Sequence, residues 1–337
     1  MIPRTISTVE DLDWKSELSR AVTSLSELAD YVDIPLDTLS DQANQSFALN
    51  VPRPYLDRVE RGNPQDPLLQ QVLPVASELQ VHEGYLLDPL KEKKYTVAPG
   101  LIHKYKSRVL LVAGTHCAVN CRYCFRRHFP YQEHRVSRED WVRVIDYIRA
   151  HTELNEVILS GGDPLAVNDR HLQWLSQELE KIPHILRMRI HTRLPVVIPA
   201  RIDNTFINWI SHVKLQRVVV LHINHPNEID PAVTNAIRML RDAGVTVLNQ
   251  SVLLAGINDH PETLATLSEK LFASGALPYY LHQLDPVSGA AHFAVDIERA
   301  RLIYQALLAM LPGFLVPKWV AEIPDRDAKT PLDLLLC

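Results

Sequence analysis

Two textures of hydrophobic and polar positions divide the chain. Near the start, Trp14, Leu18, Val22, Leu25, Leu28 and Val32 recur every three or four positions, which predicts one amphipathic helical face. Pro35, Pro52, Pro54, Pro64 and Pro67 then break the chain into short pieces. Gly62, after Val59, Glu60 and Arg61, reads as a helix stop. Residues 1–95 therefore read as an N-terminal helical region built for packing, and no catalytic motif stands out in it.

Beyond residue 95 the pattern changes. Apolar, β-prone runs fall at 108–113, 156–160, 186–192, 216–223, 245–254 and 278–284. Amphipathic stretches at 138–151, 168–182, 203–212, 231–243, 261–274 and 296–310 separate or follow them. Near-continuous Val, Ile and Leu in each run predicts strands buried on both faces, hence a parallel sheet covered by helices. The fold class is α/β, with six βα units forming a barrel or an open, barrel-like sheet over residues 96–315. In such folds the chemistry gathers on loops after the strand C-termini. The unusual residues do follow the runs: a cysteine trio, Gly161–Gly162–Asp163, His191 and Arg193, His222 and His225, and Asp285.

Composition narrows the function classes. Over 337 residues the net charge is −5, so no overall basic field points to nucleic acid. No apolar run reaches the roughly 20 residues that span a bilayer. The first residues lack a hydrophobic signal core, so the expectation is a cytoplasmic protein with reduced thiols.

Three of the four cysteines, Cys117, Cys121 and Cys124, lie within eight residues as C-x3-C-x2-C. Three readings are open. Zinc would need a fourth ligand, such as His116 or His128. Free cysteines also serve as small core residues. An iron–sulfur cluster on three thiolates would leave one iron open to an incoming ligand. Cys337 stands alone.

The motif after the first barrel strand, with "LSGGDPL" (159–165) after the second, resembles the radical S-adenosylmethionine superfamily. "CRYCFRRH", "VLHINHPNEID" (220–230), "LNQSVLLAGIND" (248–259) and "PYYLHQLDPVSGAAHF" (278–293) resemble the lysine 2,3-aminomutase family within it. The similarity runs from about residue 60 to the C-terminus. It implies a partial (β/α)6 radical S-adenosylmethionine barrel and a [4Fe–4S] cluster on Cys117, Cys121 and Cys124. Gly161, Gly162, Asp163 and His222 would border S-adenosylmethionine. The family also uses pyridoxal 5′-phosphate. Lys329 matches its lysine, in a tail spanning 316–337, and Tyr105 and Arg108 match positions that contact this cofactor. The family's glycine-rich run before that lysine is replaced here by Pro324–Asp325–Arg326–Asp327–Ala328.

By the same resemblance, Arg126 would hold the carboxylate of free L-lysine, and Asp285 and Glu322 its distant ammonium. Glutamate stands at 322 where the family has aspartate. A reducing electron donor would start the reaction, which moves an amino group from C2 to C3. The family's longer members bind zinc near the C-terminus; with His260 at one of those positions, no structural zinc is expected. The short tail resembles the bacterial branch whose β-lysine is attached to translation elongation factor P by a lysyl-ligating enzyme. Three other readings stand beside this one: an aminomutase for another amino acid such as glutamate, a zinc-stapled module without chemistry, and a radical enzyme without pyridoxal phosphate in which Lys329 is a surface residue.

Overall fold

The computed structural model describes residues 13–134 and 136–333. The opening stretch from Met1 and the isolated Cys337 lie outside the described residues. One ten-stranded sheet organises the chain, its strands neighbouring one another in sequence order. The strands are β1 (Thr96–Ala98), β2 (Leu101–Tyr105), β3 (Arg108–Gly114), β4 (Glu156–Gly161), β5 (Arg187–Thr192), β6 (Gln216–His222), β7 (Thr246–Val252), β8 (Leu277–His282), β9 (Lys318–Ala321) and β10 (Thr330–Pro331).

From β3 to β9 every neighbouring pair is parallel. At the two flanks, β1–β2–β3 and β9–β10 pair antiparallel. The six runs read from the sequence are β3 to β8. The sheet goes further than those six units. It takes in β9 and β10, so the segment after residue 316 belongs to the sheet.

The helices follow ordinary amphipathic logic. Helix Arg138–Ala150 starts at Ser137, whose hydroxyl accepts from Asp140 N while the Asp140 carboxylate answers to Ser137 N. It buries Trp141, Val144, Ile145 and Ile148, spaced for one face. Helix Pro231–Asp242 opens with Asp230 accepting from Val233 N and proline in its first turn, and buries Val233, Ala236, Ile237 and Leu240. Truncating one of these fully buried aliphatics, such as Leu240→Ala, removes roughly 2–5 kcal/mol of stability.

The N-terminal face departs from the single helix that its spacing predicts. Two helices, Trp14–Ser19 and Leu25–Val32, flank Val22, which forms an antiparallel bridge with Val51. Both backbone hydrogen bonds of that bridge are made, at 2.8 and 3.0 Å, and a continuous helix would forbid them. The spacing persists because both helices face one core. Gly62 ends no helix either. It turns the chain at φ 75°, beyond helix Arg53–Leu56, and its N–H donates to Val32 O at 2.8 Å. The N-terminal region shares the barrel's main core: Trp14, Leu28, Tyr55 and Leu69 belong to the same buried cluster as β3 to β7. No helix among the described residues is long and apolar enough to cross a membrane.

Candidate active site

The strand C-termini open into one cavity of about 560 Å³. The site residues that the resemblance implies all line it: Tyr105, Arg108, Cys117, Cys121, Cys124, Arg126, Gly161, Gly162, Asp163, His222, Asp285, Glu322 and Lys329; His225, also singled out from the sequence, does not.

The cysteine loop after β3 has no regular structure of its own and is held from two sides. From the N-terminal region, the Asn50 amide donates to Cys117 O and Ala118 O at 3.1 and 3.0 Å, and Arg122 N donates to Gln71 O. The Arg122 guanidinium, fully buried, forks onto Glu78 at 2.8 and 2.6 Å, and Arg127 shares that carboxylate at 2.7 Å. Such a buried pair holds position more than it adds stability. From the barrel side, Gly162 N donates to Gly114 O and Asp163 N to His116 O. A Cβ at Gly161, where φ is 112°, would lie 2.5 Å from Gly114 O, and one at Gly162 would lie 2.5 Å from His116 O. These two glycines let the second loop press against the cysteine loop.

All three thiols are free. Burial pushes Cys117 well up and Cys124 to about 12, with the neighbouring Cys121 charge adding to Cys124, so metal uptake has to expel protons. Among the described residues no three His, Cys, Asp or Glu side chains converge on a point that would hold a single ion. A loop of three soft donors around an open cavity fits a polynuclear cluster, in which each sulfur takes a different iron.

Asp163 departs from its expected part. Its carboxylate accepts from Leu165 N, Thr192 Oγ1, Arg193 N and Leu194 N, at 2.6–2.9 Å. It is used up tying the end of β4 to the end of β5, so it positions the wall and has no lone pair to offer a ligand.

Arg126 is buried with every arm engaged. Nε and Nη2 grip both Glu92 oxygens at 2.7 and 2.6 Å, and Nη1 reaches Ser160 Oγ and Gly161 O. Burial alone would lower its basicity; the Glu92 carboxylate more than reverses this and keeps the guanidinium charged.

Across the cavity, Glu322 accepts from Lys329 Nζ at 2.6 Å, Lys104 Nζ at 2.5 Å and the Tyr105 hydroxyl. Its burial would raise the carboxyl, yet Lys329 and the two other donors hold it near 2. These contacts bridge the two flanks of the sheet, from β2 to the segment after β9. Asp285 has no side-chain partner among the described residues, and burial drives its carboxyl up to about 7. The Arg108 guanidinium stacks 4.0 Å from the Tyr105 ring and has no hydrogen-bonding partner among the described residues. Burial keeps His191, His222 and His282 neutral, His222 at about 3.

Ahead of Lys329, Asp325 takes the left-handed conformation, φ 64°. Its carboxylate is tied to Lys94, Tyr95 and Lys91 at 2.5, 2.8 and 3.3 Å. That turn does the work a glycine could do there. Nothing in the spacing of residues points to Glu92 or Lys104, because isolated charged residues carry no periodic signal. Arg193 was visible as a strand-end residue but without a role.

Comparison with known proteins agrees with this geometry. The profile of the radical SAM superfamily matches residues 111–267. An L-lysine 2,3-aminomutase of Escherichia coli is 49% identical over 98% of both chains. One from Haemophilus influenzae is 47% identical over 98% of both. One from Clostridium subterminale is 35% identical over 98% of this chain and 80% of its own. A radical SAM methyltransferase from Sphaerobacter thermophilus, 20% identical, superposes with a TM-score of 0.50 over 66% of this chain and 68% of that one, which shows a shared fold alone. The reading of the cysteines as a zinc staple without chemistry is overturned by these full-length relatives. The chain belongs to the L-lysine 2,3-aminomutase family of radical S-adenosylmethionine isomerases.

Proposed function

We propose that this lysine 2,3-aminomutase carries pyridoxal phosphate on Lys329 and makes β-lysine for attachment to translation elongation factor P. The carrying observation is the company of Lys329. It shares one cavity with the three cysteines, with Arg108 unpaired among the described residues, and with two acids, Asp285 and Glu322.

Cys117, Cys121 and Cys124 would hold three irons of a [4Fe–4S] cluster, leaving the fourth for S-adenosylmethionine. Together these supply one-electron chemistry able to break an unactivated C–H bond. Pyridoxal phosphate supplies a conjugated system that carries the migrating nitrogen. The chain's residues bind and orient. Arg108 and Tyr105 would hold the phosphate. Arg126 takes the substrate carboxylate in a two-pronged grip once Glu92 gives way. Asp285 and Glu322 take the distant ammonium: with Lys329 committed to the cofactor, one Glu322 oxygen is released while Lys104 keeps the other. This acidic end selects lysine over glutamate, whose side-chain carboxylate it would repel. Gly161, Gly162 and neutral His222 line the cosubstrate's side. The buried cavity wall keeps water from a reactive centre.

The reading places the reaction in the cytoplasm, where reduced thiols persist and an electron donor is at hand. The destination of the product rests on the resemblance to the bacterial branch with that role. Borohydride reduction of the pyridoxal phosphate-loaded protein followed by peptide mapping is expected to find the pyridoxyl group on Lys329. Anaerobic turnover is expected to give β-lysine, and isotopically labelled product to appear on elongation factor P when its ligating enzyme is added. Pyridoxyl on another lysine, or turnover independent of pyridoxal phosphate, would refute the assignment.

A further inference from the structure

We propose that Arg193 is a positioning residue for the cluster: its guanidinium grips Cys121 and raises the electron affinity of the iron bound there. This rests on the family's iron–sulfur cluster and is independent of pyridoxal phosphate.

Arg193 follows β5 and is buried. Nη1 lies 2.7 Å from Cys121 Sγ and 2.8 Å from the Tyr123 hydroxyl. Nη2 donates to Gln71 Oε1 at 2.7 Å, Glu228 Oε2 at 2.9 Å and the Tyr55 hydroxyl at 3.2 Å. Among the described residues no other guanidinium touches a cysteine sulfur. The side chain is fixed at its root as well, because its own N–H donates to Asp163. The Asp163 carboxylate thus serves the cluster at one remove.

The charge balance gives the arrangement its sense. Glu228 is fully buried, and its other oxygen accepts from Asn224 N and His225 N at 2.8 and 3.0 Å. One carboxylate therefore matches one guanidinium in a rigid pair. The remaining arm of Arg193 points a cationic N–H at a sulfur. A charged donor withdraws electron density from a thiolate and favours the state with one more electron. Tyr55 and Gln71 come from the N-terminal region, so its packing reaches the metal through this residue.

The test is a mediated dithionite titration of the anaerobically reconstituted full chain, followed by electron paramagnetic resonance and paired with iron and sulfide analysis. Arg193→Gln, with iron content retained, is expected to lower the reduction equilibrium about tenfold, or about 59 mV for one electron. Arg193→Lys, which keeps the charge, is expected to recover most of that shift. Glu228→Gln leaves the guanidinium unbalanced and is expected to move the potential the opposite way. A merely structural role would move both neutralising variants together, through lost iron. The proposal is overturned if Arg193→Gln and Glu228→Gln keep the parent potential or shift it in the same direction. If Arg193→Gln fails to retain iron, Glu228→Gln decides: a raised potential supports the proposal, and an unchanged or lowered one overturns it.

Discussion

With Asp285 taking the substrate ammonium as proposed, lysine binding should depend on pH in a calculable way. Burial lifts Asp285 to about 7; Lys329 opposes this, while Glu322 and Glu92 reinforce it and Lys104 weakly opposes it. Only the ionised form attracts the substrate ammonium, which stays charged throughout the working range. Near pH 8 about nine molecules in ten have Asp285 ionised, and near pH 6 about one in ten does. The KM for lysine should therefore rise about tenfold from pH 8 to pH 6. Initial rates under anaerobic conditions measure this, with Asp285→Asn as the control. That variant is expected to bind lysine weakly and to lose the pH slope. The same raised carboxyl bears on stability. Between the unfolded value near 4 and the folded value near 7 the native state binds the extra proton, so stability falls as pH rises through this window. The full effect above pH 7 is on the order of 4 kcal/mol, and Asp285→Asn removes it. At pH 8 the empty variant should therefore melt several degrees above the parent. A pH-independent KM in the parent, or an equal slope in Asp285→Asn, would refute the reasoning.

Glu92→Gln should tighten lysine binding about tenfold, because an amide competes for Arg126 with roughly half the strength of a carboxylate. The same change leaves Arg126 buried without its counter-ion and should lower the stability of the empty protein by about 3–5 kcal/mol; KM and melting with and without lysine check both, and weaker lysine binding would contradict it. Gly162→Ala puts a methyl 2.5 Å from His116 O and 2.7 Å from its carbonyl carbon, so the cysteine loop has to move. Iron content after reconstitution should drop sharply, and a full complement of iron would refute the packing argument. Asp325→Ala loses both the tether and the tolerance for φ 64°, whereas Asp325→Gly keeps the backbone. The alanine variant should lose more bound pyridoxal phosphate on gel filtration, by a strain of about 1–2 kcal/mol; equal retention would mean the turn is irrelevant.

The barrel strands were legible from their β-prone residues, and β4, with five of its six residues buried, is the clearest case; β5 and β7 instead alternate and β8 buries only Leu281, because the other face of these strands lines the cavity. The flanking strands were not legible. "LIHKY" and "KWVA" are short and mix charge with bulk, since one side of each faces the cavity or solvent. The cysteines and Lys329, which the structure brings to one cavity, stood out through a motif and a resemblance. Glu92, Lys104 and the part played by Arg193 did not, because each acquires its meaning from a partner far away in the chain. Arg126 and Glu92 are 34 positions apart, and Arg193 and Gln71 are 122. Asp163 misled for the opposite reason. Its place in a glycine-rich motif suggests a ligand, yet four protein donors had already claimed it.

The ion pair between Lys104 and Glu322 joins residues 218 positions apart. A ribosome adding roughly 5–20 residues per second would display the thiols at 117–124 some 10–40 s before Lys329 exists. Translation thus imposes an order of assembly. The cysteine loop and the segments that hold it can fold while the nascent chain is still growing, and the lysine that would anchor an aldehyde joins the chamber after the other residues that line it.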